Sequence, residues 1–131
     1  MGTQKYVLVG VAVRFGGDGV YKDNLCTDGD LCKIYDNGEV DDVIYRYCSF
    51  DKGSLKEQKG LIYHSVPNWD KVVETCMVLH RTLSYLDLIG WDMAVSEDGE
   101  PILIELNQYP DCELIQIFNG PMLGFLSVHY V

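Results

Sequence analysis

The chain alternates short runs of β-prone apolar residues with brief polar turns, and one longer stretch repeats at helical spacing. Tyr6–Arg14 (YVLVGVAVR) is apolar almost throughout, the pattern of a strand covered on both faces. Phe15–Gly19 is a glycine-rich turn, and Val20–Leu25 and Leu31–Tyr35 read as short strands around Thr27-Asp28-Gly29-Asp30. Asp36-Asn37-Gly38-Glu39 signals a hairpin whose return strand is Val40–Phe50. The polar run Asp51–Gly60 reads as an exposed loop, and Leu61–His64 as an extended piece before Pro67. Val72, Cys76, Leu79, Leu83 and Leu86 then form an apolar stripe, which predicts a helix reaching about Tyr85. Asn68 is placed to cap it, with Asp70 in the first turn favoured by the helix dipole. Near the end, Asp111 is placed to cap a short helix over Cys112–Phe118, stopped by Asn119-Gly120-Pro121, and Met122–Val131 reads as an ordered apolar tail. These elements predict an α+β fold: an antiparallel sheet with one long helix and a short C-terminal helix packed on it, in a single domain over 1–131.

Between the two helices lies the most informative segment, IGWDMAVSEDGEPILIELNQYP (Ile89–Pro110). Asp98-Gly99 is a tight-turn signal between two β-prone runs, so the segment predicts a hairpin. A loop symmetric about that pair sets Glu97 against Glu100, Val95 against Ile102, and Asp92 against Glu105. Strand alternation then puts Trp91, Met93 and Val95 on one side and Gly90, Asp92 and Ala94 on the other. On the partner strand, Ile102, Ile104 and Leu106 point one way and Leu103, Glu105 and Asn107 the other. Two acids directly opposite each other repel, unless a cation sits between them. A hard cation such as Mg2+ takes one or two carboxylates together with substrate phosphates, and an amide oxygen from Asn107 extends the shell. The other reading is an acidic row on the solvated face of an antiparallel hairpin. The register is conditional too: a three-residue loop shifts the pairing by one and separates Asp92 from Glu105.

At 131 residues the chain can bury a core without staples. The net charge of −10 argues against nucleic acid and anionic membranes as partners, which require clustered Lys and Arg. It fits cation binding, and a solvated acidic surface equally. No run approaches the ~20 apolar residues of a membrane-spanning helix, and the N-terminus lacks a signal-peptide pattern, so the expected location is cytoplasmic. The cysteines are five, an odd number, with no CxxC and no zinc-ligand spacing. Reduced thiols are expected, with Cys48 and Cys76 packed as small hydrophobes.

The succession of helix, GWDMAV, tight turn and ILIELNQYP resembles the C-terminal half of an ATP-grasp domain. Within that superfamily the chain is most similar to the sugar-transfer-associated ATP-grasp family, some members of which carry the label hexapeptide transferase. The supporting residues are VAVRFGGDG (Val11–Gly19), Asp23-Asn24, His64, Pro67 with Trp69, and Ile89-Gly90-Trp91-Asp92. The resemblance implies that Asp92, Glu105 and Asn107 hold the magnesium ions that bridge nucleotide phosphates. It also implies ATP as cofactor and a small-molecule carboxylate as substrate, in an ATP-dependent carboxylate–amine ligase. Arg14 would then approach phosphate or substrate, to which a guanidinium is suited by its fork of donors, while a surface salt bridge accounts for it as well. Asn24 would line the same cleft, or serve as an ordinary turn residue, and His64 fits local packing better than a role as base. The family's lysine pair and phosphate-covering loop belong to an N-terminal lobe that no segment here matches, and Ser65-Val66 departs from the family's Pro and Thr-Gly continuation. The resemblance therefore implies a C-terminal lobe inactive without that N-terminal lobe. The alternative is a non-catalytic binding module, with a homo-oligomer burying the exposed cleft face through Trp91, Tyr109 and the tail.

Overall fold

The computed structural model describes residues 6–15, 30–46, 51–54 and 64–121. The chain divides into two compact units, Gly10–Val66 and Met1–Val9 with Pro67–Val131. The architecture is α+β, with the described strands in two antiparallel sheets where the sequence suggested one.

The Gly10–Val66 unit carries a four-stranded sheet in the order β1 (Val11–Phe15), β2 (Asp30–Ile34), β3 (Val43–Arg46) and β4 (Asp51–Ser54). Leu31, Cys32, Ile34 and Ile44 are its buried apolar residues. The first strand is shorter than expected, and Tyr6–Val13 are half-buried rather than covered on both faces. Its ladder runs from Val11 opposite Ile34 to Phe15 opposite Asp30. Beyond Ile34 the partner strand gives way to a turn, with Gly38 N–H donating to the Tyr35 carbonyl at 2.8 Å, so the ladder ends there.

β3 begins three residues later than the expected Val40–Phe50 strand, whose end at 47–50 lies outside the described residues. Val40 makes a single bridge to Ile34, and Asp41 Oδ1 then accepts the Val43 N–H at 3.2 Å. A carboxylate that captures a backbone donor two residues on competes with the strand ladder. Asp51–Ser54, expected in a loop, instead pairs with β3 from Arg46 opposite Asp51 to Val43 opposite Ser54. Its polar composition carries no strand signature, because edge strands tolerate and even favour charged residues. The expectations for Val20–Leu25, Leu55–Tyr63 and Met122–Val131 lie outside the described residues.

On the β2–β3 turn, Tyr35 donates its phenol to Asp41 Oδ2 at 3.0 Å. That bond, and the carboxylate charge behind it, hold the phenolic proton and raise its pKa above 10.0. The folded value therefore exceeds the unfolded one. The contribution to stability is complete below about pH 10 and is lost as pH climbs through the folded value. The Tyr35 ring carbon bearing oxygen is expected to titrate above 10 by NMR, and Asp41→Ala, which removes both acceptor and charge, to lower it. An unchanged midpoint in that variant would assign the shift elsewhere.

The second unit contains α1 (Trp69–Thr82), β5 (Gly90–Val95), β6 (Pro101–Asn107) and α2 (Glu113–Asn119). α1 lies against both strands, with Trp69 and Val72 buried. Asn68 does stand at the N-cap, yet its side chain caps nothing, and its backbone is left-handed at φ 49°. Its Nδ2 reaches across instead and donates to the Gly99 carbonyl at 2.8 Å, tying the helix start to the hairpin tip. The helix ends at Thr82, short of Tyr85. Leu83 N–H donates to the His80 carbonyl and Leu86 N–H to the Leu83 carbonyl, three-residue turns that replace the helical spacing. α2 begins one residue later than expected, so Cys112 and not Asp111 stands at its N-cap, without a side-chain cap; Asp111, one residue further out, still accepts the Glu113 N–H on Oδ1 at 2.9 Å.

Lys71 Nζ bonds both carboxylate oxygens of Glu100, at 2.7 and 2.6 Å. Both side chains are more than half exposed, at 51% and 58%. An exposed pair of this kind contributes about 0.2–1 kcal/mol and is screened by salt. Lys71→Met should therefore lower the urea midpoint only slightly, with the difference vanishing in 1 M salt, a concentration at which the Debye length is ~3 Å. A large, salt-independent loss would show that the pair organises the hairpin.

Candidate functional site

The β5–β6 hairpin is built differently from the symmetric two-residue turn, and the difference decides where its carboxylates fall. The loop holds three residues, Glu97-Asp98-Gly99. Ser96 N–H donates to the Glu100 carbonyl and Gly99 N–H to the Ser96 carbonyl, each at 2.9 Å. Ser96 Oγ also accepts the Glu100 N–H at 3.0 Å. Gly99 takes φ 80°, the left-handed position that closes a three-residue hairpin loop. Val95 consequently faces Pro101 and Ala94 faces Ile102, one step away from the symmetric register.

That shift alone would have parted the two acids. A bulge cancels it: Met93 faces Leu103 and Asp92 faces Glu105, leaving Ile104 as the extra residue on β6. Beyond it Trp91 faces Leu106 and Gly90 faces Asn107. Directly opposed residues share a side of the ladder, so Asp92, Glu105 and Asn107 stand together. The bulge also reverses two apolar assignments. Ile102 joins the side of Asp92, while Leu103 joins that of Trp91 and Met93.

Asp92 and Glu105 are exposed, and Asn107 is half-buried. Neither carboxylate makes a hydrogen bond or ion pair with a described residue. Two opposed carboxylates and a neighbouring amide, with their oxygens uncommitted, form an all-oxygen donor set suited to a hard cation. No cluster of three or more His, Cys, Asp or Glu side chains occurs among the described residues, so such a set relies on the amide as its third member.

The remaining candidates, Arg14, Asn24 and His64, belong to the other unit, Gly10–Val66. Arg14 is exposed on β1, opposite Leu31. Asn24 lies outside the described residues. His64 is exposed, and its backbone carbonyl accepts the Val40 N–H at 3.0 Å. On the opposite side of β5, Trp91 meets His80 edge-on at 6.3 Å between ring centroids, and His80 stacks against Tyr6 at 4.4 Å. His80 Nε2 also lies 2.9 Å from the Leu86 carbonyl. The expected packing of Cys76 holds in part: it is half-buried on α1, and burial pushes its thiol pKa up, which slows thiolate chemistry.

The strand alternation passed over a groove where the α1–β5 and β6–α2 connections meet, lined in part by Tyr85, Asp87, Gln108 and Tyr109. The only hint in the sequence was the pair of tyrosines just outside the two elements.

Among the described residues no helix is long and apolar enough to cross a membrane. No curated protein and no solved structure matches the chain. The sequence profile of the sugar-transfer associated ATP-grasp family matches residues 2–127, nearly the whole length. Together with an α+β architecture compatible with that fold, this match means that the chain belongs to the sugar-transfer associated ATP-grasp family.

Proposed function

We propose that this chain supplies the magnesium-binding edge of an ATP-grasp nucleotide site, with Asp92, Glu105 and Asn107 as the ligands. The observation that carries the reading is the direct opposition of Asp92 and Glu105, which a three-residue loop would have broken and a bulge restores. Two like charges held face to face cost stability, so a bulge that preserves them favours a role for the pair beyond folding. When bound, Mg2+ supplies charge neutralisation at the nucleotide phosphates. The carboxylates would fix its position from two adjacent strands, and Asn107 would complete the set without adding charge. Arg14 is assigned by family resemblance to phosphate or substrate, and Asn24 to the same cleft.

In the complete reaction class, a carboxylate substrate is activated by ATP for attack by an amine or other nucleophile. The lysine pair and phosphate-covering loop associated with that chemistry match no segment of these 131 residues. Turnover by these residues alone is therefore not expected, whereas weak metal-dependent nucleotide binding is. The test is a Mg2+ titration with and without ATP, followed by tryptophan fluorescence, because Trp91 adjoins Asp92 in β5. Saturation only when ATP is present supports the reading, and a flat titration in both overturns it.

A second reading draws on β6, where Ile102 is exposed on the side of Asp92, Leu103 on the side of Trp91, and Ile104 at the bulge. Covering exposed apolar side chains drives association, so the chain would act as an interaction module that forms homodimers. Sedimentation velocity separates the two, since a clean monomer at micromolar concentration removes the second.

A further inference from the structure

The groove passed over in the sequence has about 450 Å³ of space. Tyr85, Asp87 and Leu88 line it from the segment before β5, and Gln108, Tyr109 and Pro110 from the segment after β6. Tyr109 is 89% exposed and Tyr85 76%, more than any other large apolar side chain among the described residues. An aromatic ring left in water forgoes the large gain of burying it. Two such rings at one concavity are more economically explained by a ligand than by folding. The wall is also fixed in place. Gly90 has no side chain, and Pro110 Cβ sits 2.7 Å from where a Cβ would stand, which seats Pro110 on the first residue of β5. Asn107, opposite Gly90, closes the same end of the hairpin.

The lining determines the ligand's chemistry. Among the described residues of the lining, Asp87 is the only charged one, and none is Lys, Arg or His. A carboxylate repels an anionic ligand and accepts from hydroxyl or ammonium donors. Gln108 adds two amide donors and an acceptor. Tyrosine faces carry partial negative charge and attract the polarised C–H edges of a saturated ring or a cation. A flat aromatic ring without N–H or O–H groups would use the faces and leave the Asp87 carboxylate without donors, whereas a saturated ring bearing several hydroxyls satisfies both.

We propose that this groove binds a hydroxylated saturated ring, neutral or amino-substituted, stacked on Tyr85 and Tyr109 with its hydroxyls directed to Asp87 and Gln108. Such a ring is a sugar unit. Its assignment as the non-anionic substrate of the nucleotide site, beside Asn107, rests on the function proposed above. The binding itself does not.

The experiment is saturation-transfer NMR on the 131-residue chain without Mg2+ or nucleotide, so that its failure and that of the metal titration are read separately. The probes are methyl β-D-glucopyranoside, D-glucosamine, D-glucuronate and adenosine. The glucoside and glucosamine are expected to receive saturation on their ring protons, with glucuronate at least about tenfold weaker, given a carboxylate facing a carboxylate. Tyr109→Ala, at an exposed position, should weaken the glucoside by about tenfold, the scale of one lost aromatic stack. Tyr85→Ala should act in the same direction. The proposal is overturned by no transfer to either sugar, by glucuronate binding as well as glucosamine, by undiminished transfer in both tyrosine variants, or by adenosine displacing the glucoside.

Discussion

Asp92→Ala is expected to abolish Mg2+-dependent nucleotide binding by the chain, and Glu105→Ala to do the same. The two carboxylates supply all the negative charge of the proposed donor set. With one removed, a single carboxylate and an amide face a cation that gives up its water reluctantly. Loss of a mere supporting partner of a metal ligand commonly costs 10–100-fold in affinity, so loss of a ligand should exceed about a hundredfold. The same site makes a prediction of opposite sign for stability. Asp92→Asn keeps the shape of the side chain and removes one member of a directly opposed pair of like charges. It should therefore stabilise the chain by about 0.2–1 kcal/mol, a rise in Tm of roughly 1–4 °C for a domain of this size. Calorimetry and the fluorescence titration on the same preparations check both. Binding lost while stability rises marks a pair kept for its ligand. Stability falling along with binding would mean that Asp92 holds the hairpin together, and the metal assignment would fail.

Gly99→Val should destabilise the chain by about 2–4 kcal/mol, the largest effect expected of any single change in the hairpin loop. Gly99 sits at φ 80°, where a β-branched residue is strained, typically by 1–3 kcal/mol. An added Cβ would also fall on Asn68 Nδ2, the atom that donates to the Gly99 carbonyl. Displacing that amide forfeits a part-buried hydrogen bond worth about 1 kcal/mol. A urea melt gives the total, and a double-mutant cycle divides it. Gly99→Ala should cost about 1–2 kcal/mol less in an Asn68→Ala background than alone, because the collision is gone and only the backbone strain remains. Strict additivity would show that the two residues do not meet.

How legible all this was depended on which force set each element. The apolar stripe of α1 was readable because a buried face must repeat at the helical period, and Val72 indeed lies in the core. The hydrogen bond of Asp111 to the start of α2 was readable because its chemistry is local, although the helix begins one residue later and Cys112 takes the cap position. β4 was not: nothing inside Asp51–Ser54 marks a strand, and the hydrogen-bonding edge of β3 supplies the pairing. Asn68 was half right, at the cap position but with its amide committed to a partner 31 residues away, a distance no local rule spans. The hairpin is the most instructive case. The opposition of Asp92 and Glu105 was expected from a two-residue turn, whereas the structure reaches it through a three-residue loop and a compensating bulge. The outcome was right and the route was not. Bulges answer to packing along the whole ladder, so the turn residues carry no sign of them.

That compensation leaves the hairpin with an uneven tolerance to changes of length. Deleting Ile104 removes the one unpaired residue of β6, and a straight ladder from the Ser96–Glu100 closure still brings Asp92 opposite Glu105. Adding a residue between Pro101 and Leu103 offers no such escape, since it must either enlarge the bulge or turn Glu105 to the far face. Lineages that descend from this chain can shorten β6 by one residue and keep the carboxylate pair, while lengthening it by one puts the pair at risk.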